Sequence, residues 1–189
     1  VCSSDLARYN PKSKHNISQV IVNRFDKDGR TIPGKERVCL DLRLVNKALQ
    51  HFEYPIPKMD TILRTLVKSS IFSELDLSQA YNQLQVDETA QELFKFTTSK
   101  GKVSMNRLPF GVEPASSIFQ QAMTTIYAEF LMICLLIYIE NLIAHSKTAK
   151  EHLRHLRSIC ATCRKAGITL NPCKRVLMKT KIDRKSTRL

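Results

Sequence analysis

No apolar stretch in this 189-residue chain is long enough to cross a bilayer as a helix: the longest, Phe130 to Ile139, runs ten residues, against the roughly 20 that a span requires. That points away from a membrane partner. Cysteine is sparse. The six cysteines, at 2, 39, 134, 160, 163 and 173, are too dispersed for a dense disulfide framework and suit a reducing cytosolic or nuclear compartment. Cys160 and Cys163 make a C-x-x-C step, but no second pair or spaced histidine pair completes a zinc site, so both are expected to be helix residues. Internal repeats and low-complexity tracts are missing, which removes the repeat architectures. Acidic residues are also in short supply. Seventeen Asp and Glu stand against 30 Lys and Arg, and the resulting formal charge of +13 favours a polyanionic partner such as nucleic acid. A hydrophobic content of 43% over this length suffices for one domain's core.

The two ends are expected to be non-native. Residues 1–6, Val-Cys-Ser-Ser-Asp-Leu, resemble a translated sequencing adapter, and residues 183–189, Asp-Arg-Lys-Ser-Thr-Arg-Leu, resemble its opposite strand. The biological segment is then 7–182. Removing Asp5, Asp183, Arg184, Lys185 and Arg188 lowers the charge only from +13 to +12, so the basic character belongs to the segment itself.

Periodicity places the elements. Residues 16–25 read as a strand entering a turn at Asp26-Lys-Asp-Gly29, and Arg37 to Arg43 alternates as its hairpin partner. Between them, Arg30 to Glu36 reads as a basic tip. Tyr54-Pro-Ile-Pro57 interrupts regular structure before a short helix from Met59 to Leu66. Ile71 to Leu77 reads as a buried strand ending at Asp76, with Ser78 capping a helical turn. Strands are expected around Gln83 to Val86, Phe94 to Thr98 and Val103 to Arg107, with a turn at Lys100-Gly101. Pro114 opens a long helix through Phe130. Leu131 to Ile139 and Leu142 to Ala144 form a hairpin about Glu140-Asn141. A helix from Ala149 to Lys165 presents Leu153, Leu156, Ile159, Cys160 and Cys163 on one face and stops at Gly167; an irregular basic tail follows. The order describes an α+β domain with an antiparallel sheet backed by helices.

These residues also carry a resemblance. Arg37-x-Cys-x-Asp-x-Arg43-x-Val-Asn-Lys47, Tyr54-Pro-x-Pro57, Phe72-Ser-x-Leu-Asp-Leu-Ser78-x-x-Tyr81, Leu108-Pro-Phe-Gly111, Phe119-Gln120 with Met123, Tyr138-Ile-Glu-Asn141 with His145-Ser146, Glu151-His-x-x-His-Leu156 and Leu170-Asn-Pro172 stand in an order that resembles reverse transcriptases of gypsy-like long-terminal-repeat retrotransposons. The resemblance covers roughly residues 20–178. It implies a right-hand polymerase fold of which this chain supplies fingers and palm, with thumb, connection and ribonuclease H regions outside it. It also implies RNA- and DNA-templated DNA synthesis, with a template, a primer and deoxynucleoside triphosphates as partners and two Mg²⁺ ions as cofactors.

Under that resemblance Asp76 matches the first metal-binding aspartate, although a helix-capping aspartate is the competing reading. The second carboxylate position departs from the family. Where gypsy-like enzymes carry Tyr-x-Asp-Asp, this chain has Tyr138-Ile139-Glu140-Asn141. Glu140 keeps a charge but adds a methylene, against an ion that demands tight octahedral geometry, and Asn141 offers only a neutral oxygen. A misplacement near 1 Å can cost on the order of a hundredfold in rate, so this copy is expected to be catalytically impaired. The alternatives are a template/primer-binding remnant without chemistry and the product of an untranslated pseudogene. Tyr81 matches the gate beneath the incoming sugar, or is an ordinary core tyrosine. Phe110 and Gly111 lie in the motif near the nucleotide, and Arg37 matches a fingers arginine for the triphosphate, with Lys27 and Lys35 able to add charge. Lys174 resembles the lysine that protonates pyrophosphate, or is a solvated lysine. His145, His152 and His155 read as surface histidines.

Overall fold

The structure is a computed structural model that describes residues 6–9, 16–23, 25, 26, 28–32, 34, 37–57 and 59–181. In chain order its elements are β1 (Ala7–Tyr9), β2 (Gln19–Val22), β3 (Arg37–Leu40), α1 (Arg43–Ala48), α2 (Met59–Leu66), β4 (Ile71–Asp76), a 3-10 turn (Ala80–Gln83), α3 (Glu88–Leu93), β5 (Lys95–Thr98), β6 (Gly101–Met105), α4 (Ala115–Ile126), β7 (Leu135–Tyr138), β8 (Asn141–Ser146), α5 (Ala149–Lys165) and β9 (Val176–Lys179). They group into two units, residues 1–51 with 81–115 and residues 52–80 with 116–189. The expected non-native ends, 1–6 and 183–189, lie outside the described residues apart from Leu6, whose carbonyl accepts from the Asn106 amide at 2.8 Å.

The first unit holds two antiparallel sheets, β1-β6-β5 and the β2-β3 hairpin. The expected Asp-Gly turn forms, with Asp26 Oδ1 accepting from the Asp28 and Arg30 amides at 2.9 Å each, an Asx arrangement that favours aspartate there. Two expectations fail here. Arg43 continues no strand but opens α1, because the Asp41 carboxylate accepts from the Arg43 amide and guanidinium and turns the chain. Gln83 to Val86 is no strand either: a 3-10 turn and the single bridge Gln85↔Arg107 replace it. The unforeseen helix α3 starts where Asp87 caps it, accepting from the Ala90 amide at 2.7 Å, an ordinary N-cap.

The second unit is built on a four-stranded antiparallel sheet in the order β7-β8-β4-β9. Successive residues of β4 face opposite ways. Phe72 packs with Ile62 and Leu66 of α2 and with Leu136 and Ile143, each buried side chain contributing about 1.5–3 kcal/mol. Ser73, on the other face, bonds His152 of α5 at 2.7 Å.

Three further corrections concern this unit. The basic tail is not irregular, since β9 pairs with β4 through Phe72↔Lys179 and Glu74↔Val176. The α4 helix stops at Ile126 and β7 starts only at Leu135, with turns between. Finally, His145 and His152 are buried, at 4% and 0% exposure, whereas Leu153 is 48% exposed. His152 takes the core position because both ring nitrogens find hydroxyls, Nε2 on Ser73 and Nδ1 on Ser146 at 2.9 Å, and a fully paired imidazole can be buried. Cys160 and Cys163 lie in α5 as expected, with Cys163 Sγ 2.9 Å from the Tyr127 hydroxyl.

Candidate active site

Asp76 ends β4, and the antiparallel register sets Asn141, the first residue of β8, directly opposite it. Tyr138 pairs with Asn141, leaving Ile139 and Glu140 as a two-residue loop. Such loops need a positive φ at the first central residue. Ile139 supplies it at φ 53°, a conformation that costs a side-chain-bearing residue about 1–2 kcal/mol. The tip is held by Gln120 of α4, whose Oε1 accepts from the Ile139 amide at 2.9 Å and whose Nε2 donates to the Ile137 carbonyl at 3.3 Å.

The segment after α5 closes the other side. Leu77 bridges Leu170, and the Asn171 amide donates to the Asp76 carbonyl at 2.8 Å. Asn171 Oδ1 accepts from the Cys173 amide at 3.0 Å, making a local turn. That turn brings Lys174 Nζ to 3.5 Å from Asp76 Oδ2. The result is an open cleft of ≈ 450 Å³ lined by Glu74, Asp76, Glu140, Asn141 and Lys174 among others.

Burial raises the Glu140 carboxyl above its ordinary value, the Asp76 charge adds to the rise, and Lys174 partly offsets it. Burial likewise raises Glu74, again with Asp76 contributing. The Asp76 charge thus acts on both carboxyls, and Lys174 offsets part of it at Glu140. Against a Tyr-x-Asp-Asp turn, this donor set has one carboxylate fewer. Asn141 is neutral, Lys174 Nζ lies 3.5 Å from Asp76 Oδ2, and among the described residues no three His, Cys, Asp or Glu side chains are grouped to hold a metal.

In the first unit, Tyr81 and Phe110 meet edge to face, ring centroids 5.1 Å apart at 74°. Gly111 has φ 96°, where a side chain would be strained. The carboxamide of Asn46 fixes this turn, Nδ2 donating to the Gly111 carbonyl at 2.9 Å and Oδ1 accepting from the Glu113 amide at 3.1 Å. Arg37 pairs with Val22 through the backbone; its side chain, with Lys27 and Lys35, lies outside the described residues. The structure thus brings Asp76, Glu140, Asn141 and Lys174 together, and separately Tyr81, Phe110 and Gly111. Sequence reading missed Glu74, Gln120, Asn46 and Asn171. Glu74 was legible as the residue two before Asp76, on the same strand face. The other three stood inside the quoted motifs without a stated role.

The sequence profile described as "Reverse transcriptase (RNA-dependent DNA polymerase)" matches residues 23–184. The chain belongs to the reverse transcriptase family. Among curated relatives, this reverse transcriptase segment is 31% identical over 172 residues to the enzymatic polyprotein of Cauliflower mosaic virus (strain NY8153), covering 91% of this chain and 25% of that protein. It is 33% identical over 138 residues to the retrovirus-related Pol polyprotein from transposon 412 of Drosophila melanogaster, covering 73% and 11%. For that of transposon gypsy the figures are 32% over 148 residues, covering 78% and 14%. The resemblance therefore extends evenly across viral and transposon polyproteins and does not single out gypsy-like elements. The chain spans a quarter or less of these relatives' lengths. The foamy viral protease-reverse transcriptase in complex with an RNA/DNA hybrid superposes with a TM-score of 0.79 at 20% identity, covering 94% of this chain and 22% of that one. Its complex with dsDNA gives the same TM-score at 22% identity, covering 94% and 35%. The α+β fold resembles the fingers and palm region of reverse transcriptases.

Proposed function

We propose that this chain derives from a polymerase that adds deoxynucleotides to a primer 3′-hydroxyl on an RNA or DNA template, and that this copy keeps template–primer binding while its chemistry is impaired. The ordered motifs favour an origin in a long-terminal-repeat element of the gypsy-like kind. One observation carries the functional reading: Asn141 stands across the ladder from Asp76. Side chains opposed in an antiparallel pair have Cβ atoms about 4.5–5.5 Å apart. An aspartate at 141 would oppose two carboxylates across the cleft mouth, a dianionic mount suited to divalent cations. The amide at 141 removes half of that charge. Glu140 does not replace it, being one methylene longer and displaced along the loop.

Binding rests on different groups. The formal charge of +13 is long-range and survives the changes at 140 and 141, and the foamy viral enzymes of the same fold were solved with an RNA/DNA hybrid and with dsDNA. On the resemblance, Tyr81, Phe110 and Gly111 would serve the nucleotide and Arg37 the triphosphate, while Lys174 would serve the leaving group. The test is paired. The full chain should shift an RNA/DNA hybrid in a gel with an affinity that falls steeply with salt, and should extend its primer negligibly. Extension abolished by Asp76→Ala would overturn the impaired-catalyst reading; no salt-dependent shift would overturn retained binding.

A further inference from the structure

A second cleft, of ≈ 550 Å³, opens at the other end of the β4–β8 ladder. Asp76 pairs with Asn141 at one end and Ile71 with Ser146 at the other, about 17 Å apart at a strand's rise per residue. None of the residues described at the first cleft lines it. Arg64 in the last turn of α2, Lys68 just beyond it and Lys147 before α5 all line this second cleft. Among the described residues none of the three is ion-paired.

The placement of Lys147 is not explained by its own helix. It precedes the N-cap Thr148 of the 17-residue α5, at the positive end of the helix dipole, where a cation is unfavourable. The local carboxylate, Glu151, serves the helix cap: its Oε2 accepts from the Lys147 amide at 3.3 Å, while its own amide donates to Thr148 Oγ1, close to a capping-box arrangement. His155 Nε2 is 4.0 Å from Glu151 Oε1, and its Nδ1 meets Ser146 Oγ at 2.8 Å.

His145 forms part of the wall. It is 4% exposed, its Nδ1 lies 2.9 Å from Ser69 Oγ, and its Nε2 is buried without a hydrogen-bond partner. In either tautomer of the Ser69 contact, Nε2 meets no hydrogen-bond partner among the described residues. Such a buried orphan is destabilising unless something answers it. Burial lowers the His145 pKa, with His155 and His152 adding to the effect and Glu151 opposing it, so at neutral pH the positive charge here comes from Arg64, Lys68, Lys147 and the helix end.

We propose that this cleft is a binding site for a phosphate group, held by Lys68, Lys147 and Arg64 and sensed by His145. The group belongs either to a free phosphate or to a nucleic-acid backbone, and the same oxygens meet the same cations in each case. The inference is independent of the impaired-catalyst reading, since it uses none of the first cleft's residues.

The test records histidine ring resonances of the full chain while inorganic phosphate, or in a second arm a short single-stranded oligonucleotide, is added at constant ionic strength set with chloride. A saturable shift of the His145 ring is expected in at least one arm. Phosphate alone sufficing assigns the free anion, and a response confined to the oligonucleotide assigns the backbone. The double variant Lys68→Ala/Lys147→Ala should weaken binding about tenfold or more, the order expected for losing two close charges. Lys165→Ala, at the far end of α5, should leave it unchanged. Arg64→Ala, at an exposed helix position, provides an independent check with loss in the same direction. No saturable His145 shift in either arm would overturn the site. So would an equal shift with chloride alone, or affinity unchanged in both the double variant and Arg64→Ala.

Discussion

Gln120 grips the hairpin tip through both atoms of its carboxamide, accepting from the Ile139 amide and donating to the Ile137 carbonyl. The residue it holds is a β-branched side chain at φ 53°, which surrounding structure must over-determine if it is to persist. Gln120 is 2% exposed, so water cannot replace it. Gln120→Leu keeps the volume and strands both backbone groups. It should destabilise the chain by about 1–3 kcal/mol, read as a lower urea midpoint with unchanged slope. An unchanged midpoint would show that the tip holds itself.

The raised Glu74 carboxyl predicts a stability cost at neutral pH. Its folded pKa lies above the unfolded value because burial and the Asp76 charge disfavour the ionised form. The folded state therefore holds this proton more tightly, and stability present at low pH is lost as pH rises from about 4.3 through the raised value. Glu74→Gln should melt higher than the parent at pH 7, with the difference vanishing toward pH 4. Equal melting at pH 7 would remove the electrostatic account of the cleft.

The histidines carry a loss of stability in acid. His145 and His152 are both lowered, chiefly by burial and next by His155. The unfolded chain then binds protons that the folded chain refuses. Their contribution is complete above about pH 6.5 and is lost as pH falls from there toward the lowered values. Thermal melts between pH 8 and 5 should show a falling Tm over that window. His152→Gln should flatten the fall, with His145 keeping part of it; an undiminished slope in the variant would place the effect elsewhere.

Much of the palm was readable because its elements announce themselves locally. Ile71–Asp76 is a short β-prone segment carrying Ile71, Phe72 and Leu75, Met59–Leu66 has helical spacing, and Glu140-Asn141 interrupts two β-prone runs at hairpin distance. The failures have specific causes. Val176–Lys179 lacks alternation and becomes a strand only because β4, about a hundred residues earlier, offers an edge to pair with; non-local pairing leaves little trace in a short segment. Glu88–Leu93 is six residues long, too short for a periodicity argument, though the Asp87 cap was there to be read. His152 looked like a surface residue because its partners, Ser73 and Ser146, come from two strands of the sheet. In the site, the resemblance supplied Asp76, Glu140, Asn141 and Lys174, but it could not supply Gln120's grip on the loop or the Asn171 turn that delivers Lys174.

The proposal at the centre is that the pair Glu140-Asn141, beside Asp76, impairs nucleotidyl transfer. Its most direct test places residues 7–178 of this chain within an otherwise complete related reverse transcriptase, so that the remaining polymerase regions are supplied, and measures single-nucleotide incorporation on a primed RNA template with Mg²⁺. The account predicts negligible incorporation, with substantial rescue by Glu140→Asp/Asn141→Asp. Incorporation by the unaltered segment at the parent enzyme's rate, abolished by Asp76→Ala, would contradict it.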